Sequence, residues 1–315
     1  MITTNGRSRK DNVMTRIRIA AGGIGFNFLP IYVAQQQGFF AKNGIEVETT
    51  LLPSVDRATS AAKHGEHDLA ITPPEGAIRD AISGGSLRVI AANVNRLPLS
   101  LIAHPRFKRI EDLKGAVLGT SSLTEGTALY TMEVLRRHGL NYPGDYTFNV
   151  VGLHPARWQA LQEGSIDAAV QLIPLNFIAE DAGFRNLGEV TDYIPEIAFT
   201  TVIADKLWAT QNRASVVAFL RSLIEATAWM NDRANDGPLL ALMAETIHAD
   251  VKYGRLSLDY MREKRVFPPD LAIPQPAFAK TVELMQKAGF AGSAEDAIAV
   301  LDDSWRNEAA SNAVP

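Results

Sequence analysis

Two hydrophobic periods take turns along this chain, and their succession organises it. Ile17–Ala21 (IRIAA) and Ile45–Leu51 (IEVETTL) read as short strands; between them GGIGFNFLP makes a tight turn, and a helix runs from Pro30 to Gln37, closed by Gly38. Strand, helix and strand within about 35 residues form a βαβ unit, which implies a parallel pair with a right-handed crossover. The pattern repeats: Ser54 caps a helix to about His64, Asp68–Ile71 is a strand, Pro74–Ser83 a helix, and Leu87–Val94 a mostly apolar strand.

Near Arg96–Leu101 the same units begin again. Leu99–Ala103 reads as a strand, Arg106–Lys114 as a basic loop with one helical turn, and Ala116–Thr120 as a strand followed by a polar turn and an amphipathic helix to His138. Thr147–Val151 and Asp167–Leu172 are further strands, with a helix over Pro155–Glu163 between them and another from Pro174. At Ala198–Ala204 the chain crosses back. Helices are then expected at Arg213–Ala234, Pro238–Ala249, Leu256–Val266, Pro276–Ala288 and Ala294–Asp303, with Phe267–Pro276 (FPPDLAIPQP) as an extended loop.

The pattern predicts an α/β protein of two lobes: residues 1–16 a disordered tail, 17–97 and 200–315 the first lobe with its C-terminal helices, 98–199 the second. A ligand cleft is expected at the carboxyl ends of the strands, with the two crossings as a hinge.

Composition narrows the chemistry. With 315 residues, a net charge of −4 and no basic cluster denser than Arg7–Lys10, the chain carries no nucleic-acid or membrane-surface footprint. No stretch reaches the roughly 18–20 apolar residues that span a bilayer. The absence of cysteine excludes thiolate catalysis, disulfides and zinc–cysteine sites. Residues 1–16 have no apolar run behind their basic patch, so the chain as written is expected in the cytoplasm, or in the periplasm if the start site has lost a signal.

The candidate residues cluster at the predicted strand ends. Ser121, Ser122 and Thr124 with Gly126 open the helix after Ala116–Thr120, where unpaired N–H groups and the helix dipole favour an anion; equally, Ser122 or Thr124 caps the helix and Glu125 supplies first-turn charge. His154 and Arg157 in LHPARW either face the cleft, the guanidinium matching a carboxylate, or serve as helix cap and solvated cation. Glu75 accepts from a ligand or is a first-turn acid, and Phe26 and Phe28 stack on a planar ligand or fill the core. Arg57 is a lesser candidate, and His64 and His67 most simply cap carbonyls. No metal site and no cofactor is expected: nucleophile-elbow, phosphate-loop and HExxH motifs are missing, and GGIGF lacks the rest of a dinucleotide fingerprint.

The stretches PIYVAQQQGFFAKNGIEVE, SAAKHGEHDLAIT, IEDLKGAVLGTSSLTEGTALYTMEVLRRHGL, ARWQALQEGSIDAAV and VVAFLRSLIEATAWMND, taken in order, cover roughly residues 17–235. Together they resemble the type II periplasmic-binding-protein superfamily, in the group joining thiamine-pyrimidine synthases to the sulfonate and taurine receptors of ABC importers. The resemblance implies that fold, and implies that Gly25–Phe28, Thr72–Glu75, Ser121–Thr124 with Gly126, and Gln171–Asn176 face the ligand. Where such receptors carry a TGD-type turn, this chain has TPPEG, stiffened by two prolines.

Two functions follow as expectations. The first is a solute-binding protein closing on a small organic anion, a carboxylate or sulfonate on an aromatic or heterocyclic body, with an ABC permease and ATPase as partners. The second is a cytoplasmic decarboxylase or lyase on the same scaffold, with His154 and Glu75 as its acid–base residues. The cysteine motifs of the family's enzymes have no counterpart here.

Overall fold

The computed structural model describes residues 14–23, 25–124, 126–289 and 293–311. Most of the expected tail therefore lies outside the described residues. Its last two positions, Thr15 and Arg16, already belong to the first strand.

The described residues form ten strands: β1 (Thr15–Ala21), β2 (Ile45–Leu51), β3 (Leu69–Thr72), β4 (Leu87–Val94), β5 (Leu99–Ala103), β6 (Val117–Thr120), β7 (Thr147–Val150), β8 (Ala168–Leu172), β9 (Arg185–Glu189) and β10 (Thr200–Asp205). They make two five-stranded sheets of matching order, β2-β1-β3-β10-β4 and β7-β6-β8-β5-β9. The strands β1, β2 and β3 are parallel, as are β6, β7 and β8. β10 runs antiparallel to β3 and β4, and β5 antiparallel to β8 and β9.

That polarity follows from the path of the chain. β4 ends where the chain passes to the other sheet, so β5 starts at the facing edge and must run away from it. β10 starts the same way on the return. The two crossings lie side by side, the Phe199 N–H donating to the Val94 carbonyl at 3.0 Å. The loop between Val266 and Ala272 flanks them: Asn95 N–H donates to the Val266 carbonyl (3.2 Å) and its side-chain amide to the Ala272 carbonyl (2.7 Å).

Burial explains which strands were legible. β3, β5 and β8 are covered on both faces and read as mostly apolar runs, whereas the edge strand β2 begins buried-exposed-buried-exposed. β9 (RNLGE) was not expected. It is an edge strand with no buried residue, held by β5 alone, so it carries no apolar signature.

Helices start and stop on local chemistry. The Ser54 hydroxyl accepts from Arg57 N–H at 3.1 Å and opens Val55–Lys63. Gly164, at φ +71°, closes His154–Glu163 in the left-handed conformation that glycine adopts without steric cost. The helix Arg213–Asn231 packs against Leu29–Gln36 and Ser304–Ser311. Lys206–Gln211 and Ser304–Ser311 were not foreseen, and the helix expected over Ala294–Asp303 stops at Ile298.

The C-terminal helices also reach the second sheet's layer. Gln275–Lys287 packs on Thr127–Arg137, with Lys280 and Lys287 directed at the buried Glu133. From Val251–Glu263, Tyr253 donates to Asp181 at 2.7 Å and Tyr260 to Glu189 at 2.9 Å.

Candidate functional site

A cavity of about 620 Å³ opens between the carboxyl ends of the two sets of parallel strands. The turns after β1, β2 and β3 contribute Gly25, Phe26, Pro53, Val55, Thr72 and Pro73; those after β6, β7 and β8 contribute Ser121, Gly126, Thr127, Leu153–Arg157 and Leu172–Leu175. Ile178 adds an aliphatic wall and Phe199 stands at the crossing.

Arg157 is the one permanently charged side chain among the described residues lining this cavity. It is 1% exposed, and its Nε and Nη1 have no hydrogen-bond partner. Burial lowers its pKa to about 9, since taking a cation out of water disfavours the charged form. A buried guanidinium without a carboxylate is costly and is normally paired.

His154, half-buried one turn earlier, accepts the Leu172 N–H on Nδ1 at 3.2 Å, which leaves the proton of the neutral ring on Nε2. Burial first, and then the Arg157 charge, hold its pKa well below the usual histidine value. The ring is therefore neutral at physiological pH.

Gln171 lies behind this wall. In the orientation that satisfies its amide, the oxygen accepts from Trp158 N–H (3.0 Å) and the nitrogen donates to the His154 carbonyl (3.2 Å), fixing the start of the helix His154–Glu163. Asn176 is also behind it, donating to the Ser100 hydroxyl at 3.2 Å. Phe28 is fully buried in the core beneath the first sheet's turn, away from the cavity. Phe26 lines the cavity, with its ring 5.9 Å from that of Phe267.

At the expected anion seat, the head of Thr127–Arg137, one amide is taken by the protein itself. Glu75 is fully buried, and its Oε1 accepts the Gly126 N–H at 3.1 Å. One turn on, Arg79 donates to the Thr124 carbonyl at 3.0 Å. Neither Ser122 nor Thr124 caps the helix; its first flanking residue is Gly126, at φ +44°, and no side chain caps it. Ser122 instead accepts the Thr124 N–H (3.2 Å), while the hydroxyls of Thr120 and Ser121 lie 3.1 and 3.3 Å from that of Thr127. Glu125 lies outside the described residues. Burial raises the Glu75 pKa to about 7, against its own N–H, the Gly126 N–H, Arg79 and Tyr130.

Of the sequence candidates, Gly25, Phe26, Thr72, Ser121, Gly126, His154 and Arg157 line the cavity; Phe28, Glu75, Ser122, Thr124, Gln171 and Asn176 do not. Arg57 is paired with Glu66 on the surface. Sequence reasoning missed the apolar wall of Leu153, Pro155 and Ile178, each within a few residues of a candidate it did name, whereas Ile173 falls in the expected stretch Gln171–Asn176. It also missed His248, an exposed residue at φ +53° reaching the cavity from a C-terminal loop, for which the sequence carried no signal. Among the described residues no group of three or more His, Asp or Glu side chains has metal-binding geometry, and no helix is long and apolar enough to cross a membrane.

A family profile described as NMT1/THI5 like matches residues 25–235. YtlA of Bacillus subtilis (strain 168), whose name assigns it provisionally to binding proteins, is 20% identical over 293 residues, covering 89% of this chain and 86% of that one. Among solved structures, the periplasmic aliphatic sulphonate binding protein SsuA from Escherichia coli superposes with a TM-score of 0.67 at 21% identity, covering 87% of this chain and 91% of its own. The periplasmic nitrate-binding protein NrtA from Synechocystis PCC 6803 does so at 0.76 and 14% identity, covering 96% and 90%. These likenesses show the two-sheet fold to be that of the periplasmic binding proteins.

Proposed function

The chain belongs to the NMT1/THI5-like family, and from that premise we propose that it is a solute-binding protein that closes on a small organic anion for ABC-type uptake. The observation that carries this reading is Arg157: a buried, unpartnered guanidinium facing a cavity of about 620 Å³ with otherwise mostly apolar walls. Such a cavity suits a ligand with one acidic group and a flat or aliphatic body. The acid, a carboxylate or sulfonate, pairs with the guanidinium and offsets the cost of burying that charge without a partner.

The relatives named for binding sulfonate and nitrate support the reading, and their periplasmic setting favours the periplasm among the two locations weighed from the sequence. An ABC permease and ATPase would then receive the solute. The two crossings at Val94–Leu99 and Phe199–Thr200 act as the hinge between a first lobe (17–97 and 200–315) and a second (98–199).

Mass spectrometry of small molecules that co-purify with the protein, followed by calorimetry with the species found, tests the proposal. One organic acid, unchanged after prolonged incubation, is expected, with affinity falling about a hundredfold or more in Arg157→Gln. An uncharged ligand, or an affinity indifferent to Arg157, would sink it. A time-dependent change of mass abolished in a His154 variant would identify an enzyme instead.

A further inference from the structure

The wall of the cavity formed by Thr72, Pro73, Gly126 and Thr127 has a carboxyl group directly behind it. Glu75 follows Pro73 by two residues, and its Oε1 takes the N–H of Gly126, itself a wall residue, at 3.1 Å. One amide at the head of Thr127–Arg137, where the helix dipole favours an anion, is thereby taken from the protein side. Elsewhere in the same cavity lining stands Arg157, whose Nε and Nη1 have no hydrogen-bond partner. The site thus has a guanidinium in its lining and a carboxyl group behind the wall at Gly126.

We infer that Glu75 is a charge filter: it restricts the ligand to a single anionic group, held at Arg157, and rejects molecules carrying a second anion at the Gly126 end. This rests on the reading of the cavity as a solute site and narrows its substrate class to monoanionic acids with an uncharged far end. A second acid there lies against a buried carboxylate in a low-dielectric interior, where like charges repel more strongly than in water. The charged or titratable groups facing Glu75 among the described residues are Arg79 on its own helix and Tyr130 on Thr127–Arg137. Arg79 is committed to the Thr124 carbonyl and Asp56, so it offers a second anion no replacement.

Naphthalene-2-sulfonate and naphthalene-2,6-disulfonate share one frame, and both stay fully ionised between pH 6 and 8, so any pH effect belongs to the protein. Calorimetry at pH 8 is expected to show the monosulfonate bound about ten times or more tighter by the wild type, a difference of about 1.4 kcal/mol. In Glu75→Gln, which keeps an oxygen for the Gly126 N–H, that preference collapses to about two- or threefold. The wild-type preference also shrinks as pH falls from 8 to 6 and Glu75 gains its proton, a reading that needs no variant to fold. Glu75→Gln abolishes this pH dependence, whereas one arising from another group would survive it. A preference unaltered by both the substitution and pH overturns the filter while leaving the solute reading intact. Failure of the wild type to bind either sulfonate overturns the aromatic-acid reading beneath it.

Discussion

Arg157 and Glu75 carry opposite charges into one interior, and burial presses both towards neutrality, Arg157 to about 9 and Glu75 to about 7. Each is a stability liability retained at a site. Replacing Arg157 with Met, of similar length and no charge, should stabilise the ligand-free protein by about 1–3 kcal/mol while abolishing anion binding, as read by thermal unfolding with and without ligand. For Glu75 the sign is fixed by the direction of its shift. A carboxyl whose folded pKa lies above its ordinary 4.5 stabilises most when protonated, and that contribution fades as pH rises from about 4.5 through 7. Wild type should therefore lose stability relative to Glu75→Gln between pH 5 and pH 8, by at most a few kcal/mol in denaturant titrations. The importance of Arg157 was half legible in sequence, where a guanidinium one turn into a helix after a strand reads equally as solvated. That Glu75 would take the amide of Gly126, 51 residues away, was not legible, since it depends on how two lobes meet.

At the scale of elements, the helix Thr127–Arg137 is pinned at its start and along one flank. Its start is held by Glu75, and its flank by Glu133, which is 3% exposed and surrounded by Arg136, Arg137, Lys280 and Lys287. Burial alone would raise the Glu133 pKa, but hydrogen bonds from Arg136 and Arg137 and the charge of Lys287 outweigh it and hold the group at about 2. That stability is present above pH 4.5 and is lost as pH falls from there towards 2. Glu133→Gln should cost about 2–4 kcal/mol at pH 7, by leaving four cations around a neutral amide, and much less at pH 3. Comparing unfolding midpoints at the two pH values checks this. The elements that were legible were those whose local signals agree with their burial. IEVETTL alternates at a sheet edge, and LRVIAANV runs apolar because both its faces are covered. RNLGE pairs with β5 but buries nothing, so pairing left no mark on its composition.

Across the whole molecule, the contacts from Glu75 to Gly126 and from Arg79 to Thr124 join the first sheet's helical layer to the turn after β6, while Tyr253 and Tyr260 reach from the C-terminal helices to Asp181 and Glu189. If the cleft opens at the two crossings, as proposed, the first pair breaks. Removing both Glu75 and Arg79 side chains should enlarge the radius of gyration of the ligand-free protein in X-ray scattering, with saturating ligand restoring the compact value. An unchanged scattering profile would show that those two contacts do not hold the cleft.

The placement of β10 between β3 and β4 has a consequence for the protein's birth. As the chain leaves the ribosome, β1 to β4 emerge first but cannot complete their sheet, because the strand that must separate β3 from β4 is Thr200–Asp205. The second sheet, drawn wholly from Leu99–Glu189, is by then fully synthesised. Assembly therefore runs against the order of translation: the first sheet waits with a gap, and a nascent chain halted before Thr200 should resist protease in its later half sooner than in its earlier one.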